Sequence, residues 1–161
     1  MVFSYPIIFP IRHKFFANTA VCRDVGGCRS ERKGKGMTDP NKICFVCMGE
    51  LQSEGCICPS CGHDNRLRGN GPGFLKSTVL GGQYFVGKVL GRGGFGITYL
   101  GLDLLLNRKV AIKEYFPEGV AYRDSETEKV VPFGGHMQEV FAQGVTRALR
   151  EARNRHRRLS V

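Results

Sequence analysis

Residues 83 to 102 read QYFVGKVLGRGGFGITYLGL, two runs rich in β-branched and aromatic residues divided by the glycine-rich turn GRGG. Glycine at this density opposes a helix, and neither flanking run has a helical period, so the stretch predicts a hairpin. A second turn, LLLNRK, leads into the short apolar strand Val110-Ala111-Ile112. From Gln138 the pattern changes. Phe141, Val145, Ala148 and Ala152 follow one another at helical spacing and predict a helix to about Arg155. Three antiparallel strands and then a helix make an α+β fold. No internal repeat is evident.

Ahead of the hairpin lies a cysteine-rich stretch. Cys44-Phe-Val-Cys47 and Cys58-Pro-Ser-Cys61-Gly are two CxxC pairs with ten residues between them. Zinc takes four tetrahedral ligands, and each CxxC turn offers two thiolates to one side of the metal. Two facing knuckles predict a zinc ribbon that folds because the ion substitutes for a core. Gly62, after the second pair, relieves the backbone where amides approach sulfur. Cys56 and His63 compete for a ligand place, but Cys56-Ile-Cys58 is too tight a pair, and His63 is expected to face solvent. Four protein ligands close the coordination sphere, so the zinc is expected to be structural.

Composition bounds the rest. The net charge of +10 lies wholly at the ends of the chain. Segments 1–36 and 147–161 each carry +5, while 37–146 has eleven charges of either sign. A neutral middle, without aromatics interleaved among basic residues in the ribbon, argues against specific nucleic-acid binding. No apolar run approaches the ~20 residues of a membrane helix. In MVFSYPIIFPIRHK the charges follow the apolar part, the reverse of a secretory signal. A soluble, cytoplasmic chain is the expectation, and its reducing environment disfavours disulfides. Residues 1–36 lack periodicity and are read as a disordered leader, in which Cys22 and Cys28 are free thiols. One reading makes Met37 the true start. The remaining boundaries are a ribbon over 37–65, a Gly/Pro-rich linker over 66–82 and the strand-and-helix unit over 83–161.

Gly91-Arg-Gly93-Gly94-Phe-Gly96 matches GxGxxG, a pattern that three nucleotide-binding loops share. A Walker A loop places lysine directly after its last glycine, where this chain has Ile97. A Rossmann loop opens a helix, but Ile97-Thr98-Tyr99-Leu100 favours a strand. The third kind is a strand–turn–strand flap followed by a lysine in VAIK on the next strand. Val110-Ala111-Ile112-Lys113 supplies it, with Lys113 seventeen residues beyond Gly96. On these residues the chain from about Gln83 resembles the N-terminal lobe of a bacterial eukaryotic-type Ser/Thr protein kinase. GGFGITYLGLDLLLNRKVAIKEYFP is similar to a subgroup in which a zinc ribbon precedes the kinase domain. The resemblance spans roughly residues 43–155.

It implies an incomplete kinase N-lobe, with antiparallel strands and a helix C, following a ribbon that binds structural Zn²⁺ through Cys44, Cys47, Cys58 and Cys61. Flap residues Gly91, Arg92, Gly93, Gly94 and Gly96 would bring backbone amides to the phosphates of ATP, with Phe95 capping them. Leu90 and Ala111 would pack on adenine, and Thr98 takes the place of the motif's valine. Lys113 would grip the α- and β-phosphates. Its carboxylate partner is expected to be Glu151 on the helix, with Glu139 as rival. The 38 residues from Lys113 to Glu151 exceed the general spacing, and an insertion over YFPEGVAYRDSETEKVVPFGG accounts for the excess. Glu114, on the opposite strand face, is expected to be structural.

The 161 residues contain no HRD loop and no DFG, hence none of the family's Mg²⁺ ligands and no catalytic aspartate. The resemblance therefore implies a Ser/Thr kinase by family, represented by its ATP-clamp half and inactive alone. Protein substrates would be engaged through a C-lobe, and the ribbon offers a surface to a docking partner. The arginine-rich NRHRRLSV departs from the family's helix end, as a frameshift would. The alternative function is a non-catalytic docking module made of the ribbon and the kinase-like lobe.

Overall fold

Burial alternates along residues 108–115, as expected of a strand with one face on a core and the other more open. The computed structural model describes residues 7–10, 38–69, 71, 74 and 77–159. Its main sheet is antiparallel throughout, in the order β1–β5–β4–β3–β2. The strands are β1 (Ile7–Pro10), β2 (Val79–Leu80), β3 (Tyr84–Gly93), β4 (Gly96–Asp103) and β5 (Arg108–Tyr115). A small hairpin of β6 (Ala121–Arg123) and β7 (Val130–Pro132) follows, and then the helix α1 (His136–Leu159). The fold is α+β, as the sequence predicts.

Two segments expected to be irregular contribute strands. Ile7–Pro10, in the leader, pairs with β5 from Ile7 opposite Lys113 to Pro10 opposite Val110. Val79–Leu80, in the expected linker, pairs with β3. Both are too short to show a period in the sequence. The rest of the leader, with Cys22 and Cys28, lies outside the described residues. The helix starts two residues before Gln138, and at its C-terminal end it continues to Leu159 through Arg157 and Arg158, arginine being a good helix former. Among the described residues, no helix is long and apolar enough to cross a membrane.

Two clusters form the core of the sheet. One face buries Val86, Ile97, Tyr99, Val110 and Ile112 together with Phe116, Ala121, Val130 and Phe141. The opposite face buries Phe85, Leu100, Leu102 and Leu104 against Ile43 and Met48 of the cysteine-rich segment. Ribbon and sheet therefore share one apolar core. Lys88 N–H donates to Phe45 O at 3.0 Å, and Thr38 N–H to Leu104 O at 3.4 Å. The Arg68 guanidinium donates to Ile43 O at 2.7 Å and lies 5.6 Å from the centre of the Phe85 ring. Gly87 is required at this junction. A Cβ there would overlap the Met48 Cε and approach Phe45 O to 2.5 Å.

Candidate metal centre and nucleotide pocket

The cysteine-rich segment consists of two similar knuckles. Ile43 bridges to Glu50 around the first CxxC, and Ile57 to Asp64 around the second. Inside them, Cys44 N–H donates to Gly49 O and Met48 N–H to Cys44 O, while Cys58 N–H donates to His63 O and Gly62 N–H to Cys58 O. The residue after each pair takes a positive φ, 61° at Met48 and 73° at Gly62. Glycine adopts this without strain, whereas methionine does so at a cost of about 1–2 kcal/mol. Burial of the Met48 side chain against the sheet offsets that cost.

The knuckles bring Cys44, Cys47, Cys58 and Cys61 together, with all four sulfurs within 4.8 Å of one another. Cys44 Sγ and Cys61 Sγ are 3.6 Å apart, as are Cys47 Sγ and Cys58 Sγ. Four sulfurs about 2.3 Å from a tetrahedral zinc would stand roughly 3.8 Å apart, so the set can hold such an ion. Burial raises the Cys44 thiol, but amides of Cys47 and Val46 and the thiols of Cys58 and Cys61 outweigh it and bring it down to about 7. Cys47 is pushed up to about 12, by burial first and then by the neighbouring thiols. The protons are thus held unequally, and a divalent cation would favour the thiolate at every position.

Cys56 stands outside this cluster, and its carbonyl accepts from the Asn65 amide at 3.1 Å. All five cysteines among the described residues are free of disulfides. The expectation that His63 faces solvent is corrected: it is half-buried, and its Nε2 is enclosed without a hydrogen-bond partner. The cause is its backbone, which spans the second knuckle and draws the ring in beside Phe45, 6.3 Å away.

The second site lies at the far end of the sheet. Gly93 pairs with Gly96 across a two-residue turn, and the strand register aligns Gly91 with Thr98 and Thr98 with Lys113. Cross-strand partners share a face, so these three form one row across β3, β4 and β5. None of Gly91, Gly93, Gly94 or Gly96 has a positive φ. Gly96 is explained by packing, since a Cβ there would overlap Glu114 O. At Gly91, Gly93 and Gly94 a Cβ would meet nothing within 4 Å. The fold itself places no demand for glycine at those three positions.

Beside this row a pocket of about 450 Å³ opens between the flap tip and α1. Phe95, Lys113, Tyr115, Gly144, Arg147 and Glu151 are among its lining residues. Phe95 is 78% exposed, with its ring standing at the rim. Three residues expected to act together, Phe95, Lys113 and Glu151, thus line one cavity. Glu139 is exposed in the first turn of α1 and is not in the lining. Leu90, Gly91, Arg92, Gly93 and Gly94 are exposed, and Gly96, Thr98 and Ala111 are half-buried on their strands. The Arg92 guanidinium lies 5.7 Å from the centre of the Phe116 ring.

Tyr115 and Arg147 are pocket residues that the sequence reading missed. Tyr115 is two positions beyond Lys113 on a strand, and Arg147 is one helical turn before Glu151, so simple periodicity could have found both. Burial raises the Tyr115 hydroxyl above its ordinary value, and the Arg147 charge offsets part of this rise. Glu114 points away from the pocket, as expected. It is buried, and its Oε2 accepts from Tyr99 Oη at 2.9 Å and from Arg123 Nη2 at 2.5 Å.

No protein-family model matches the chain. The curated proteins likewise contain no match to it. A solved structure of PpkA-294 in its apo form is similar to it, with 32% sequence identity and a TM-score of 0.47. The similarity covers 50% of this chain and 28% of that one, so the chain spans less than a third of that protein's length.

Proposed function

We propose that this chain is the ATP-clamp half of a Ser/Thr protein kinase, joined to a ribbon that binds structural zinc. The observation that carries the reading is the shared pocket of Phe95, Lys113 and Glu151, below a flap with three glycines that packing leaves unexplained. Amides without a Cβ in the way can approach phosphate oxygens closely. Lys113 supplies a point charge for the same phosphates, Glu151 orients that charge, and Arg147 adds a second cation. Leu90, Thr98 and Ala111 would meet the adenine on the open sheet face. Mg²⁺ fits less well, since Glu151 is the sole carboxylate among the described lining residues. Transfer of a γ-phosphoryl group to a protein hydroxyl would belong to the whole kinase, with its substrates bound by a C-lobe. The ribbon keeps a solvent-facing second knuckle for a docking partner, and its free thiols suit a reducing, cytoplasmic setting.

Titration with trinitrophenyl-ATP tests the reading. The chain is expected to bind it at micromolar concentration, and Lys113→Met to weaken binding at least tenfold with an unchanged melting temperature. Absence of binding at millimolar nucleotide, with the chain folded, would refute the clamp.

A further inference from the structure

The hairpin β6–β7 sits where the sequence showed only an insertion, and it directs one charged side chain into the core. Arg123 is 5% exposed and Glu114 1% exposed, and they are joined by Nη2–Oε2 at 2.5 Å. The hairpin turn is built to hold this arginine. Arg123 Nη1 donates to Glu128 O at 2.7 Å, and Asp124 Oδ1 accepts from the Thr127 amide at 2.7 Å and its hydroxyl at 2.6 Å. The Arg123 guanidinium also lies 5.5 Å from the centre of the Phe116 ring. Arg92, from the flap strand, lies 5.7 Å from the centre of that same ring. Two cations from separate elements thus share one aromatic ring.

Phe116 is in turn bonded to the flap. Its N–H donates to Phe95 O at 3.2 Å, and Glu118 N–H donates to Gly94 O at 3.0 Å. Gly96 packs directly on the Glu114 carbonyl. The flap tip is therefore tied to residues 114–118, and those residues are held by Arg123. A glycine-rich turn without such ties would sample many conformations, and the entropy of ordering it would weaken ligand binding.

We propose that Arg123 is a positioning residue for the flap: paired with Glu114 and stacked with Arg92 on Phe116, it holds Gly94 and Phe95 over the Lys113 pocket. This inference rests on the nucleotide reading for its purpose, but the anchoring can be measured without nucleotide. The experiment is hydrogen–deuterium exchange on the full chain, combined with trinitrophenyl-ATP titration, for Arg123→Met and for the double variant Glu114→Gln/Arg123→Met. The double variant leaves no buried carboxylate unpaired and so keeps the test open if the single variant fails to fold. Both are expected to accelerate exchange at least tenfold in residues 93–97 and 114–118, to leave residues 99–102 unchanged, and to weaken nucleotide binding at least fivefold. Uniform acceleration across the sheet would mean a merely structural pair and would overturn the proposal. So would unchanged flap exchange, or undiminished nucleotide binding, in the double variant. If the unaltered chain binds no nucleotide while exchange still rises only in the two named segments, the anchor stands and the nucleotide reading falls.

Discussion

Strand β3 carries glycine for opposite reasons at its two ends. Near the ribbon, Gly87 is glycine because Met48 and the Phe45 carbonyl occupy the space a Cβ would need. At the flap, Gly91 and Gly93 border open space, and Gly94 follows them into the turn under the same condition. The residue type is identical and the sequence around each is strand-like. A glycine that packing explains reports on the protein's own interior, whereas one that packing leaves unexplained points to a molecule outside it. The ribbon end is closed by the chain, and the flap end borders open space.

The largest test of this contrast is metal removal. Ribbon and sheet share one core through Ile43, Met48 and Phe85, so loss of the ion should expose part of the sheet as well. Cys58→Ser is expected to abolish stoichiometric zinc, measured by mass spectrometry of the purified chain, and to unfold the knuckles. Structural zinc contributes about 10–16 kcal/mol in apparent terms, far beyond what a small core can replace. Retention of a cooperative melt by the metal-free ribbon would show that packing on the sheet suffices.

The next effect sets the two glycine classes against each other. Gly87→Ala is expected to destabilise the chain by about 1–3 kcal/mol, the usual cost of overpacking a filled site. Gly93→Ala should stay within about 0.5 kcal/mol in stability, as surface changes do, yet weaken trinitrophenyl-ATP binding severalfold. Denaturant unfolding and nucleotide titration of the two variants decide it. Equal destabilisation by both, or equal loss of nucleotide by both, breaks the comparison.

The smallest effect concerns acid stability at the ribbon end. Asp103 is fully buried, and burial raises its carboxyl; hydrogen bonds from Gln83, Leu106 and Leu105 and the Arg108 charge outweigh this and hold it below the ordinary range. A carboxyl lowered in the folded state contributes stability that is fully present above the unfolded value of about 3.9 and is lost as the pH falls through the folded one. Asp103→Asn should therefore flatten the loss of melting temperature below about pH 4 while leaving the flap unaffected. An unchanged acid profile would count against this carboxylate.

Much of the molecule is legible before any coordinates. Two CxxC pairs already point to a four-thiol cluster, because each CxxC turn offers two thiolates to one side of an ion. The β-branched and aromatic runs on either side of GRGG, the apolar run Val110-Ala111-Ile112 and the helical spacing of Phe141 and Val145 place the main elements, and strand period two puts Lys113 and Glu114 on opposite faces. The strands Ile7–Pro10 and Val79–Leu80 were hidden, because two to four residues cannot display a period and their partners are distant. The inward turn of His63 and the union of ribbon and sheet in one core were hidden for a related reason: each depends on which surface meets the segment.

By itself the sequence determines what is local: a turn where glycines cluster, a knuckle where CxxC recurs, a lysine at the end of an apolar strand. Burial of Arg123 against Glu114 and Phe116, and the meeting of Phe95, Lys113 and Glu151 around one cavity, were decided only by the tertiary structure. They join residues seven to fifty-six positions apart, and such contacts follow from how whole elements pack, which the local pattern of residues does not encode.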